Sequence, residues 1–155
     1  ITGLITLSNL NCRQVQIYIF GQICDLERSL SEFIDINKSN KEIEDFVKLK
    51  SKSNEKYEDI WSGYQIQVQN NTENKLIEQL YLVDLFCIIK HFSLYTKLDY
   101  TKKEWNNLSS INELRKLVAH SVRNILDQKN DINKLWKRIG MIEELTFRLK
   151  QIKTV

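Results

Sequence analysis

One stretch of this chain, Glu113-Leu114-Arg115-Lys116-Leu117-Val118-Ala119-His120-Ser121-Val122-Arg123-Asn124, combines residue types able to move a proton and hold an anion. Histidine exchanges protons near neutrality, and the guanidinium of arginine offers a rigid fork of donors to a phosphate or carboxylate. Other chemistry finds little support. The two histidines, His91 and His120, lie far apart and form no ligand set with cysteine or carboxylate neighbours, so no metal site is expected. There is no GxxxxGK, GxGxxG or GxSxG string, which removes phosphate loops and the hydrolase elbow. Cys12, Cys24 and Cys87 are odd in number and contain no CxxC pair, so neither zinc nor a disulfide frame is indicated, and a reduced cytoplasmic compartment is the simplest inference.

Placed on a helix advancing about 100° per residue, Leu114, Val118, Ser121 and Ile125 share one side, which faces the core. His120 falls off that side, with Lys116 and Asn124 one turn before and after it. Arg115 lies at the opposite margin, roughly 140° from His120 at that helical pitch. One chain therefore cannot readily close both groups on one small ligand. Two chains packed about a two-fold axis can bring each residue to its symmetry mate.

The elements that must position this segment are helical. The 155 residues contain no proline and four glycines, where average usage gives roughly 8 and 11, a shortage that disfavours turn-rich β architectures. Val15, Ile19, Ile23, Leu26, Leu30 and Phe33 step by threes and fours, predicting one long helix over 11–35. Ser39 with Glu42 has capping-box spacing and opens a stripe of Ile43, Phe46, Val47, Tyr57, Ile60, Trp61 and Tyr64, on one helix or two. Asn70 with Glu73 could cap a third helix over 73–95, apolar nearly all round and so central, with Asp84 inside its run paired to an arginine or facing water. Thr101/Glu104 and Ser110/Glu113 have capping-box spacing for a short helix around Trp105 and a motif helix through Leu126. Ile132, Leu135, Ile139, Ile142, Leu145, Leu149 and Ile152 mark a last helix over 131–153. His91 is expected at a helix C-terminus, favoured by the dipole. Trp61, Trp105 and Trp136 read as core or interface anchors. The expected fold is an all-α, up-and-down helical bundle of four to five helices with a short extended segment at the N-terminus.

Charge is uneven. Residues 1–101 carry 11 Lys/Arg against 14 Asp/Glu, and residues 102–155 carry 12 against 6. A basic final third points to an anionic partner, although solvated lysine-rich helix faces give the same count. No apolar run reaches the ~18 residues that a spanning helix needs, so no membrane partner is expected. Ile1–Leu7 reads as a short strand without an initiating Met or a charged leader, the pattern of a piece of a longer protein.

The Arg115-Lys116-Leu117-Val118-Ala119-His120 string resembles the R-x4-6-H signature of the HEPN superfamily. The order of a central apolar helix, a short capped segment, the motif helix and a final amphipathic helix is similar too, over roughly residues 11–153. The resemblance implies a dimeric bundle over 11–155 in which Arg115 and His120 form the catalytic pair of a metal-independent endoribonuclease, without any cofactor. Lys116 stands where the family usually has Asn, Asp or His. In such a site the 2′-hydroxyl of RNA attacks its own phosphate, the imidazole transfers protons, and the guanidinium steadies the phosphorane. Lys116, Arg123 and Asn124 would bind the RNA backbone.

Residues Gly3-Leu4-Ile5-Thr6-Leu7-Ser8-Asn9-Leu10 resemble the closing strand and helix start of a CBS domain, with Asn9 in place of its ribose-binding acid. This makes residues 1–10 the remnant of a nucleotide-sensing module, so that adenosine nucleotides would bind only through an upstream CBS domain. Two expectations stand side by side: a homodimeric RNA-binding or RNA-cleaving effector of a toxin or defence kind, and a non-catalytic dimerisation or signalling bundle attached to a CBS sensor. A third is a partner-binding bundle using Trp61 or Trp105 at its surface.

Overall fold

A computed structural model describes residues 7–70, 75–120, 124–126 and 131–152, and the described residues form helices and turns without strands. The elements are α1 (Leu7–Leu10), α2 (Arg13–Asn37), α3 (Asn40–Ser51), α4 (Glu55–Gln69), α5 (Leu82–His91), α6 (Lys102–Asn107), α7 (Ser110–Val118) and α8 (Ile132–Ile152), with 3-10 turns at Leu76–Gln79 and Leu94–Leu98. The all-α bundle expected from spacing is the fold observed. No helix among the described residues is long and apolar enough to cross a membrane.

Two compact units divide the chain, one built from residues 1–29 and 95–155, the other from residues 30–94. In the first unit, Ile23 and Leu26 of α2, Ile111 and Leu114 of α7, and Leu145 and Leu149 of α8 are shut off from solvent. Trp105 is buried there as well, stacked on Tyr95 at 6.4 Å and meeting Tyr100 edge-on at 5.9 Å, so it anchors the core and offers no surface to a partner. Asp99 takes a left-handed backbone (φ 55). The Arg148 guanidinium fixes that turn, donating at 2.8 Å to both the Leu98 and Asp99 carbonyls while lying over the Tyr100 ring.

In the second unit α3 and α4 pack as a hairpin, joined at a polar break near Lys52 to Asn54. The Ser39/Glu42 capping box forms, with Glu42 accepting from the Ser39 backbone N–H at 2.9 Å. The central helix differs from expectation. Leu80 and Tyr81 are extended, so the apolar run splits into a 3-10 turn and α5. The cause is Asp84, which stands three residues after Tyr81 and accepts its backbone N–H at 3.1 Å, so that Tyr81 caps a new helix beginning at Leu82. Asp84 is 2% exposed and pairs with Lys56 at 2.6 and 2.7 Å, not with an arginine of the motif helix. His91 closes α5 as its last residue and packs on Phe46 at 5.0 Å.

At the N-terminus the strand expected over Ile1–Leu7 lies outside the described residues except for Leu7, which belongs to the turn of α1. Glu73, the expected partner of Asn70, also lies outside them.

Candidate functional site

Helix α7 carries the motif. Ile111, Leu114 and Val118 recur at spacings of three and four and are buried, with α7 packed on α8. This stripe sets the bearing of every other side chain on the helix. Arg115, one residue after Leu114, emerges at its margin and is 24% exposed. From α2, Glu27 emerges beside Leu26 in the same way and is also 24% exposed. The Arg115 Nε–H donates to Glu27 Oε1 at 2.8 Å. One turn before Glu27, the Cys24 thiol is pushed up from its ordinary range by partial desolvation and by the Glu27 carboxylate, against the opposing pull of Arg115. Cys24, Glu27 and Arg115 thus form one electrostatic group on the first unit.

The helix ends before His120. Ala119 is its C-cap and donates its N–H to the Arg115 carbonyl at 3.0 Å, while the His120 N–H reaches the Leu117 carbonyl at 3.3 Å. The expected continuation through Leu126 does not form. Val118, His120, Ser121, Val122 and Asn124 are all poor helix formers. Asn11 provides the competing anchor, accepting the Leu126 N–H at 2.8 Å and donating to the Leu126 carbonyl at 3.1 Å. That two-point clamp holds the backbone of a buried non-helical segment, Ile125 and Leu126. His120 is consequently exposed on the turn that follows α7.

The helix start also differs from its expected form. Ser109, not Ser110, is the N-cap. Ser110 lies inside the first turn and its hydroxyl donates to the Asn107 carbonyl at 3.1 Å. Glu113, released from capping, pairs with Lys116 at 3.0 Å, both of them exposed. The structure therefore brings Arg115 to Glu27 and puts Lys116, His120 and Asn124 at the surface. Arg123 lies outside the described residues.

No family model, curated protein or solved structure matches this chain.

Sequence reasoning overlooked a second basic feature. Lys134, Lys137, Arg138 and Met141 on the first turns of α8 face Asn107 and Ser110 across an open groove of about 340 Å³. The signal was present in the positions of these cations, which avoid the buried Leu135, Ile142, Leu145, Leu149 stripe, and in the charge excess of the final third. Among the described residues no three His, Cys, Asp or Glu side chains gather as metal ligands.

Proposed function

We propose that this protein is an RNA-binding effector of HEPN type that acts as a homodimer in the cytoplasm and cleaves RNA without a metal ion. The observation that carries the reading is that α7 presents Arg115, held by Glu27, while the turn that ends the helix leaves His120 exposed. An exposed imidazole can reach a substrate, and a guanidinium held through its Nε keeps a defined direction. In the dimer, each protomer supplies one His120 and one Arg115 around a single phosphodiester. One imidazole takes the proton of the 2′-hydroxyl, whose oxygen forms a new bond to the adjacent phosphorus. The bond from phosphorus to the 5′-oxygen breaks, and the second imidazolium protonates that oxygen. The products are a 2′,3′-cyclic phosphate and a free 5′-hydroxyl. Arg115 neutralises charge on the non-bridging oxygens as the phosphorane forms.

The test is incubation of purified protein with single-stranded RNA in excess EDTA, with the product ends analysed. Cyclic phosphate ends support the reading. Intact RNA, or 5′-phosphate ends, would overturn it.

A second reading is favoured by one observation. The Arg115–Glu27 pair closes within one chain, as a structural ion pair does. On that reading the bundle is a non-catalytic dimerisation or signalling domain joined to a CBS sensor. RNA would then survive, and thermal shift with ATP and AMP would detect binding only by a longer parent carrying that module.

A further inference from the structure

We infer that α8 carries a self-association face, on which Trp136, Gly140, Glu143 and Phe147 meet the same residues of a second copy of this chain in antiparallel register. The contact uses neither Arg115 nor His120 and does not rest on the RNA reading.

The four residues follow one another at steps of four, three and four, so at about 100° per residue they form one stripe along the helix. That is the spacing of a helix seam, yet all four are exposed, Trp136 at 56% and Phe147 at 62%. Leu135, Ile142, Leu145 and Leu149 already fill the core side of α8, so the aromatic stripe is surplus to the fold of one chain. On α2, Tyr18 extends the face: it is exposed and lines a shallow cleft with Ile139 and Glu143. Gly140 stands mid-stripe with open space where a side chain would be. A glycine weakens an exposed helix, and here it lets a second backbone come close. Helix α7 touches α8 on another side, where Ser110 meets Met141.

Charge identifies the occupant. Lys137 and Glu144 stand on the same flank of the stripe, about 100° and 80° round from Trp136. A two-fold axis crossing α8 between Gly140 and Met141 sets Lys137 of one copy against Glu144 of the other, because both are equally far from that point. Two identical ion pairs then form, one on either side of the axis. Lys137 makes no ion pair among the described residues. Glu144 bonds Arg148 at 2.6 Å but is 55% exposed and open to a second cation. The same axis lays each Trp136 between Glu143 and Phe147 of the second copy. There the indole N–H has the Glu143 carboxylate as its acceptor, and the ring has Phe147 to pack on. An acid in the middle of an aromatic stripe is thereby accounted for. A nucleic acid or an anionic membrane would meet Glu143 and Glu144 with like charge, and a basic peptide would meet Lys137 with like charge. A second copy answers both signs.

The test is sedimentation velocity of the full chain over about 1–100 µM, beside Trp136→Ser, Lys137→Glu, Glu144→Lys and the Lys137→Glu/Glu144→Lys double variant. The parent is expected to associate, and Trp136→Ser to raise its dissociation constant at least about tenfold. Each single charge reversal sets like charges together and should weaken association about tenfold. The double reversal restores opposite signs and should return to within about threefold of the parent. All of these substitutions fall on exposed side chains, and melting followed by circular dichroism confirms that the variants fold. A monomeric parent would overturn the face. So would an associated parent that Trp136→Ser leaves unchanged, or a double reversal that associates no better than its single members. An associated parent indifferent to Trp136 joins through another surface, and the contact proposed around Arg115 and His120 would then stand without this one.

Discussion

Arg115 Nε and Glu27 Oε1 meet at 2.8 Å, and through that bond α7 is tied to α2 at the point where the motif begins. Both side chains are three-quarters covered, so the pair is screened less than a surface ion pair, whose usual worth is about 0–1 kcal/mol. Glu27→Ala leaves a half-buried guanidinium without this acceptor and is expected to cost about 1–2 kcal/mol of stability. Urea denaturation at neutral pH measures it. A change below about 0.3 kcal/mol would mean that the pair is incidental to the fold.

The same pair makes Cys24 a reporter. Glu27 raises the thiol and Arg115 lowers it. In a Cys12→Ser/Cys87→Ser background, Glu27→Gln should therefore speed alkylation of Cys24 by iodoacetamide at mildly alkaline pH, since more of it is thiolate. Arg115→Gln should slow it. Shifts of the same sign in both variants would show that access, not charge, controls the thiol.

Lys56 and Asp84 define the other unit. Asp84 is 2% exposed, whereas the Lys56 side chain is 41% exposed, so the two partners are not equivalent. Removing the lysine strands a carboxylate inside the protein, while the Tyr81 N–H still satisfies part of it. Lys56→Met should destabilise by about 2 kcal/mol, less than the ~3–5 kcal/mol of a fully buried pair because the ammonium end reaches water. Desolvation by burial, then the charge of Asp84, pushes the Tyr57 phenol well above its ordinary range. Equal stability of Lys56→Met and the parent would show that Asp84 has another route to satisfaction.

The cap of α3 gives a pH signature. Hydrogen bonds from Lys38, then from the Ser39 backbone and hydroxyl, lower the Glu42 carboxyl to about 2. A carboxyl depressed on folding stabilises the native state above its unfolded value near 4.5, and the contribution fades as pH falls from there toward 2. The melting temperature of Glu42→Gln should lie below the parent's at pH 7 and converge on it in strong acid. A gap that is independent of pH would remove the charge from the explanation.

Much of the helical framework was legible because its signals are local. The stripe from Ile19 to Phe33 and the boxes at Ser39/Glu42 and Thr101/Glu104 need only neighbours a few residues away. The misread elements each turned on a distant partner. Asp84 breaks the apolar run because Lys56 waits for it from a different helix, and the motif helix stops short because Asn11 claims Leu126 across 115 residues of chain. The position of His120 off the core stripe could be read from helical pitch, but its place on a turn could not. Glu27 carries no local signal that sets it apart from other acids, because its partner Arg115 is 88 residues away. The groove residues of α8 were visible only as a charge surplus, since Asn107 and Ser110 reach them through packing rather than through sequence.

The most direct measurement is the rate of single-stranded RNA cleavage in EDTA by His120→Ala beside the parent, at matched protein concentration and with both confirmed folded by circular dichroism. Loss of at least about a hundredfold, the scale of general acid–base contributions, is the expected result. Cleavage by the alanine variant at the parental rate would contradict the account at its centre.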